Sequence, residues 1–401
     1  MKVLIVSQYF QPESFRINDV VKSLVEKGVE VDVLTGKPNY PDGDYFQGYR
    51  GWGCQREQWA GANIYRVPLA ARGKRSALKL IFNYLSFIAA GCLFGPWLLR
   101  RRRYDAIFVY ATSPLLQAIP ALFLGFLKRS KVLVWVQDLW PDSLAATGYV
   151  RNAVALKCVE YIVRLIYRHA DLLLVQSEAF KQNVRKLAPG KPIVYYPNSV
   201  DRIFSSGDDG ELPQLPFPYN GFTVVFAGNV GSGQAVEVIV GAADLLRGRQ
   251  DISFVVFGKG SRWDWMESQV RELGLTNVYL PGRFPVEMMP GVMSKASVLL
   301  VTLADEAIFA ATVPNKVQAY MAVGKPIIAS LNGEGARLVA EAGAGLAVPA
   351  EDSTALAAAV LQLVEMTDAE REQMGENGRA FFKQHFDHDK LIDRLITHFS
   401  D

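Results

Sequence analysis

Cysteine and histidine are scarce in this 401-residue chain. Its three cysteines, Cys54, Cys92 and Cys158, have neither paired nor metal-ligand spacing, which excludes a disulfide framework and a zinc cluster and fits a reducing compartment. The four histidines, His169, His385, His388 and His398, stand away from the ends of the apolar runs, and no Ser/His/Asp set can be assembled from them. Carboxylate pairs at Asp42/Asp44 and Asp387/Asp389 lie in polar stretches, so no metal and no other cofactor is expected. Excess charge is missing too. A net charge of +3 argues against bulk nucleic-acid binding, and no nucleic acid is expected as a partner. Repeats and low-complexity tracts are absent. The first apolar run ends at Gln8, too short for the hydrophobic region of a secretory signal, and reads as a strand.

Half of the residues are apolar, and the length suggests two domains at about 100–200 residues each. Short apolar runs at 3–7, 31–35, 106–110, 132–136, 172–176 and 193–196 read as buried strands. Helix-length amphipathic stretches separate most of them, for example 18–27, stopped by Gly28. Residues 58–68 read as a hairpin with Gly61 near its turn. The pattern restarts after 205–220, a stretch rich in Gly, Pro and Asp, with strands at 223–227, 254–257, 277–280, 297–301, 326–329 and 345–348. Such alternation means parallel sheets with helices on both faces. The expected fold is α/β: two doubly wound Rossmann-like domains, 1–204 and 221–379, joined by a linker at 205–220 and facing each other across a cleft. A last helix, at 380–399 within the terminal segment 380–401, is read as crossing back to the first domain.

Phosphate chemistry is suggested at two places in the second domain. The run Ala227-Gly228-Asn229-Val230-Gly231-Ser232-Gly233-Gln234 follows a strand and opens a helix. Either its glycines only make a tight turn, or free N–H groups and the helix dipole hold an anion there. Thr312-Val313-Pro314-Asn315-Lys316 opens another helix, with proline read at the first helical position and the N–H groups of Asn315 and Lys316 left over. This is an ordinary helix start with an exposed lysine, or a diphosphate site with the ammonium in the same turn. Gly258-Lys259-Gly260 and Pro281-Gly282-Arg283 end further strands on the same edge, and Arg283 has the permanent charge.

In the first domain, Pro12, Glu13 and Arg16 lie in the loop after the first strand, on the acceptor side, with Glu13 read as a catalytic carboxylate. Asp138 ends a strand of nearly pure apolar residues, within Gln137-Asp138-Leu139-Trp140-Pro141-Asp142-Ser143. There it would cap a helix, or orient an acceptor hydroxyl and take its proton. Asp142 reads as a cap.

Residues 77–99 are long enough to span a bilayer, for which about 20 apolar residues suffice. Lys79, Asn83 and Ser86 interrupt that surface, Gly95-Pro96 is expected to break the helix, and strands of one sheet flank it. The run 115–127 is shorter and equally apolar. Arg100, Arg101, Arg102 and Arg103 follow the first run, and Lys128, Arg129 and Lys131 the second. These cations are a solvated face beside a core helix, or they meet the anionic cytoplasmic leaflet. The expectation adopted is a cytoplasmic protein held peripherally on the inner face of the cell membrane through Arg100–Arg103, without crossing it.

Taken together, Gln8-Tyr9-Phe10-Gln11-Pro12-Glu13, Pro38-Asn39-Tyr40-Pro41, Val136-Gln137-Asp138-Leu139-Trp140-Pro141-Asp142-Ser143, Ala227-Gly228-Asn229-Val230-Gly231 and Pro314-Asn315-Lys316 resemble retaining glycosyltransferases of sequence family four, which have the GT-B fold. The resemblance spans nearly the whole chain. It points to the branch that makes O-antigen, capsule and colanic acid and includes N-acetyl-fucosamine transferases. It implies a metal-free, retaining transfer of an N-acetylated amino sugar from a UDP-linked donor to a sugar on polyprenyl diphosphate. Catalytic roles would fall to Asp138, Glu13 and Lys316. The donor would meet Gly228, Asn229, Gly231, Gly258, Lys259, Arg283, Thr312, Val313, Pro314, Asn315 and Lys316. The chain departs from the family where an Arg and a Lys are replaced by Asn229 and Gln234, and two glutamates by Ala311 and Ala319. A UDP-sugar 2-epimerase and a non-catalytic nucleotide-sugar-binding partner are the competing readings. The positions of the histidines disfavour the first, and the missing glutamates favour the second.

Overall fold

In the computed structural model, which describes residues 1–49, 52–73, 76–146, 152–200, 202–204 and 221–401, the apolar runs form strands and the stretches between them helices. The chain divides into two compact units, Met1–Tyr196 with Asp389–Asp401, and Pro197–His388. The linker expected at 205–220 lies outside the described residues.

The first unit holds β1 (Lys2–Val6), β2 (Glu30–Thr35), β3 (Gln55–Trp59), β4 (Ala62–Arg66), β5 (Ala106–Ala111), β6 (Lys131–Val136), β7 (Leu172–Val175) and β8 (Ile193–Tyr195). They form one sheet in the order β3-β4-β2-β1-β5-β6-β7-β8. Neighbours run parallel except β3 and β4, a hairpin that begins three residues earlier than the sequence suggests. Its turn residues Ala60 and Gly61 both have positive φ, as a two-residue hairpin turn compatible with sheet twist requires. Central strands are buried on both faces, which explains their unbroken apolar sequence: Val3, Leu4, Ile5 and Val6 expose nothing.

The crossovers β4–β5, β5–β6 and β6–β7 all advance in one direction along the sheet. Their helices Ala77–Leu98, Ala118–Lys128 and Ala153–His169 therefore share one face. Helix Ala77–Leu98 approaches its neighbour through glycines: a Cβ on Gly91 would press on Pro120, and one on Gly95 would touch Leu124. Pro96 does not break this helix as expected but sits in its last turn, where the chain is ending anyway. The apolar run 115–127 is a short 3-10 turn, Leu115–Gln117, continued by helix Ala118–Lys128.

The second unit holds β9 (Phe222–Ala227), β10 (Ile252–Phe257), β11 (Val278–Gly282), β12 (Val298–Thr302), β13 (Ile327–Ser330) and β14 (Gly345–Val348), all parallel in the order β11-β10-β9-β12-β13-β14. Strand order reverses at β1/β5 in the first sheet and at β9/β12 in the second. Loops leaving the carboxyl ends diverge at such points and open a crevice where ligands of doubly wound sheets bind.

Two expected boundaries need correction. The first domain, expected to run to residue 204, ends at Tyr196: Val200 is buried in the second unit's core and Ser199 Oγ bonds His388 Nδ1 at 2.8 Å. The single terminal helix is in fact two. Helix Asp368–His385 stays with the second unit, burying Phe382 beside Phe386. After a break, helix His388–Ser400 begins, and its Leu391, Ile392, Leu395 and Phe399 enter the first unit's core against Ile17, Val21 and Phe108. Tyr196 Oη donates to the Leu391 carbonyl at 2.9 Å.

Candidate functional site

At the carboxyl edge of the second sheet, the loops after β9, β10 and β11 are tied together backbone to backbone. Gly228 N–H donates to the Phe257 carbonyl at 2.9 Å, and Gly258 N–H to the Gly282 carbonyl at 2.8 Å. Glycine is required at Gly258: φ is +130°, and a Cβ would overlap the Gly228 carbonyl. At Gly228 φ is +142°, again a glycine conformation, and a Cβ there would also push the Lys316 side chain aside. So the glycines do more than turn the chain, because they let Lys316 and two loops crowd into one place.

Lys316 belongs to helix Asn315–Val323. Pro314 is that helix's N-cap in extended conformation, one position earlier than the sequence suggests, so Asn315 and Lys316 supply the first N–H groups, which have no partner inside the helix. Tyr320, fully buried one turn on, fixes the helix to β9: its hydroxyl donates to the Ala227 carbonyl at 3.2 Å and accepts from Ala227 N–H at 3.1 Å. The Lys316 ammonium lies 3.7 Å from the Phe226 ring centroid and donates to Gln234 Oε1 at 2.6 Å. Burial lowers its pKa from 10.5 to about 7. Gln234 lies in the glycine-rich turn after β9, so an ammonium from another helix reaches into that turn. Thr302, at the end of β12, holds the Gln234 carbonyl through its hydroxyl.

The other donor-side residues divide. Asn229 is exposed, its amide folded over Gly231 and close to Gly260. Lys259 and Arg283 are exposed on the same edge, Lys259 with its ammonium 5.3 Å from the Trp263 ring. Asn315 is exposed. Val313 is corrected: its side chain is in the core and cannot meet a ligand. Thr312 turns its hydroxyl back to the Ile308 carbonyl at 2.9 Å. The glycine-rich turn does not open directly into an α-helix either: a 3-10 turn, Ser232–Gln234, precedes helix Glu237–Leu245.

In the first unit, Asp138 lies just past β6, partly buried, with Oδ2 accepting the Ser113 N–H from the loop after β5 at 2.9 Å. Arg16 and Asp138 both act on the Tyr110 hydroxyl, whose pKa is raised by burial first, lowered by Arg16 and raised by Asp138. Arg16 opens the helix after β1 and Asp138 follows β6, both at the carboxyl edge of this sheet. Pro12 is partly buried in the loop between β1 and that helix. Asp142 opens the short helix Asp142–Ala146 from within its first turn rather than capping it.

Glu13 is a correction. It is 2 % exposed, and backbone N–H groups occupy both oxygens: Asn39 at 2.8 Å and Tyr40 at 2.7 Å on Oε1, Phe10 at 3.1 Å on Oε2. It clamps two loops, and its burial keeps it from a substrate. Burial raises its pKa, against the lowering effect of those three donors.

The sequence reading missed the polar network behind this loop. Asn83, read there as an interruption of an apolar surface, is wholly buried and accepts from Gln8 Nε2 at 2.7 Å while donating to the Ala70 carbonyl at 2.6 Å and to Asn39 Oδ1 at 3.3 Å. Gln117 Oε1 accepts Gln8 N–H at 2.7 Å. A lone Asn within an apolar helix was the available signal. Tyr9, Phe15 and Tyr40 form an aromatic cluster with centroids 5.0–5.7 Å apart, and the Arg72 guanidinium lies 5.2 Å from the half-exposed Tyr40 ring. Arg102 is also corrected: it turns inward to Glu30 at 3.3 Å and Asp32 at 3.9 Å, whereas Arg100, Arg101 and Arg103 are exposed.

Comparison with known proteins follows the two units. Residues 14–199 match the family model described as glycosyl transferase 4-like domain, and residues 221–366 the one described as glycosyl transferases group 1. The chain is 24 % identical over 338 residues to the putative colanic acid biosynthesis glycosyl transferase WcaI of Escherichia coli K12, covering 81 % of this chain and 82 % of that one. It is 26 % identical over 295 residues to the probable glycosyltransferase WbjE of Pseudomonas aeruginosa, covering 72 % and 73 %. Among solved structures it resembles sucrose-phosphate synthase from Thermosynechococcus elongatus, with a TM-score of 0.75, 18 % identity and coverage of 99 % and 98 %. It also resembles HepE from Anabaena in complex with UDP, with a TM-score of 0.71, 15 % identity and full coverage of both chains. With one glycosyltransferase model on each unit and this shared architecture, the chain belongs to the glycosyltransferases of GT-B fold.

Proposed function

We propose that this glycosyltransferase moves a sugar, an N-acetylated amino sugar in the fullest reading, from a UDP-linked donor to a sugar on polyprenyl diphosphate during assembly of a bacterial surface polysaccharide. The observation that carries the reading is Lys316: an ammonium at the β9/β12 crevice, beside the first N–H groups of its helix, and bonded to an amide rather than a carboxylate. A diphosphate supplies the missing counter-charge. The HepE structure with UDP supports a uridine nucleotide, and the name of WcaI, a putative colanic acid biosynthesis enzyme, supports polysaccharide assembly.

In this mechanism the acceptor oxygen attacks the anomeric carbon as the bond to the diphosphate breaks. The acceptor proton passes to the departing phosphate oxygen, on the same face, so configuration is retained. Lys316 and the helix N–H groups stabilise the charge that grows on the leaving group. Asp138 orients the acceptor hydroxyl. Exposed Tyr40, backed by Arg72, offers an apolar ring face to an acceptor sugar. No metal takes part in the proposed step.

The test incubates the purified chain with a panel of UDP-sugars and polyprenyl-diphosphate-linked acceptors, with chelator present, and follows products by mass and by the anomeric proton. Transfer with retention supports the proposal. Transfer that requires a divalent ion, or an inverted product, refutes the corresponding part. Interconversion of the donor without transfer would favour an epimerase, and donor binding without any turnover a non-catalytic partner.

A further inference from the structure

The exposed large apolar side chains of the first unit crowd onto the three helices that cover one face of its sheet. On helix Ala77–Leu98, Leu78 is 70 % exposed, Phe82 65 %, Leu93 71 % and Trp97 56 %. With Leu85 these positions follow the helical repeat, so the stripe pointing away from the protein is apolar along the whole helix. Phe123, Phe126 (82 %) and Leu127 continue the surface on helix Ala118–Lys128, and Val154 and Tyr161 on helix Ala153–His169. Scattered apolar residues need no explanation, but a contiguous surface of this extent does.

Its charge says what covers it. The sequences of the three helices hold one carboxylate, Glu160, which pairs with Arg164. Exposed cations border the surface: Lys79 at one end of the first helix, and Arg100, Arg101, Arg103 and Arg129 beyond the helix ends. Arg100 stacks over Trp97 at 5.5 Å, an aromatic and a cation side by side as at a membrane interface. Between the second and third helices an open groove of about 1150 Å³ has apolar walls, including Leu122, Phe126, Ile162 and Ile166, and is lined also by Arg129, Lys131 and one carboxylate, Asp171, which accepts the Val132 N–H at 2.7 Å. Apolar walls with cations suit an anionic amphiphile. A second copy docked through the same face would set these cations against their own kind.

We propose that the outer face of these three helices lies in the headgroup and upper acyl region of an anionic phospholipid leaflet, with the helices in the plane of the bilayer. Helix Ala77–Leu98 is long and apolar enough to cross a membrane, but Asn83, Phe87, Gly91 and Gly95 are buried against the unit, so it stays on the sheet and presents its other side to lipid. Apolar insertion holds the protein there, and Arg100, Arg101 and Arg103 add attraction to anionic headgroups. This surface is independent of the donor chemistry and stands or falls whichever sugar is transferred.

The test is flotation of the full chain with vesicles of phosphatidylcholine, alone or mixed with phosphatidylglycerol. The wild type is expected to float with the mixed vesicles and less with the neutral ones. The triple variant Phe82→Ser/Leu93→Ser/Phe126→Ser alters only exposed positions and should bind at least tenfold more weakly with an unchanged circular dichroism spectrum. Arg100→Ser/Arg101→Ser/Arg103→Ser should weaken binding while leaving a salt-resistant remainder. Brominated lipids should quench Trp97, read as the difference between wild type and Trp97→Phe. A wild type that stays soluble with anionic vesicles, equal binding by the apolar triple variant, or an unquenched Trp97 would overturn the proposal. So would a lipid-free dimer that the triple variant turns monomeric without any vesicle binding, since a second copy would then be the occupant.

Discussion

Lys316 has an ammonium whose pKa burial has brought down to about 7, so near neutrality only part of the free protein carries that charge. A bound diphosphate favours the charged form and raises the pKa, and binding then takes up a proton at pH values above about 7. A nucleotide sugar is the right probe, because its diphosphate diester does not itself titrate in this range. Affinity for a UDP-sugar should be highest below about pH 7 and fall as pH rises, by up to about tenfold per unit. In Lys316→Arg, whose charge is permanent, the slope should vanish. Calorimetric titrations from pH 6 to 9 decide this, and a flat wild-type profile would remove the lysine from the diphosphate.

Asp138 and Glu13 show how differently two carboxylates at strand ends can be used. Asp138 holds the Ser113 N–H with Oδ2, so Asp138→Asn preserves that tie through its amide oxygen. It should lower kcat while leaving donor affinity nearly intact, and a large loss of donor binding would contradict the acceptor role. Glu13→Gln replaces an accepting oxygen with a donor that must face an N–H. It should cost about 1–3 kcal/mol of stability in a denaturant titration. The wild-type carboxyl is raised above its ordinary value of 4.5, so the folded state binds the proton more tightly than the unfolded one. Its contribution is therefore fully present below about 4.5 and lost as pH rises through the raised value, and Glu13→Gln should remove that component. In the sequence the two residues look alike. What separates them is a loop 26 residues further on, whose two N–H groups hold Oε1 of Glu13 while Phe10 N–H holds Oε2, and no local pattern reveals that.

At the scale of elements, strands were legible because a strand buried on both faces must be a short apolar run, as β1, β6 and β10 are. Helix ends were less so. Pro96 reads as a breaker, but in a last turn a missing N–H removes only one bond of a helix that is about to stop. The terminal helix reads as continuous because Phe381, Phe382 and Phe386 are apolar in a helical rhythm, and only their burial in the second unit separates them from Leu391 onward. Helix His388–Ser400 fills a gap in the first unit, with Leu395 wholly buried and Lys27 reaching Asp393 at 2.6 Å. Leu395→Ala should therefore destabilise the first unit by about 2–5 kcal/mol, measured by chemical denaturation with Trp135 fluorescence as the local probe. A change near zero would mean the helix is not part of that core.

For the molecule as a whole, two sheets could be read from the restart of one pattern, and their switch points follow from strand order. The donor site was only half legible. Its glycines and Lys316 stand in local motifs, but the bond from Lys316 to Gln234 joins residues 82 positions apart, and only the folded chain reveals it. Donor binding depends on that ammonium holding a nucleotide diphosphate. The measurement that tests it most directly is calorimetric binding of UDP to wild type and to Lys316→Ala, in chelator, with thermal melting in parallel. A charge-assisted contact is worth about 1.5–3 kcal/mol, so the variant should bind UDP more than tenfold more weakly with a melting temperature close to wild type. Equal affinity in the two proteins, or no binding of UDP by the wild type, would contradict it.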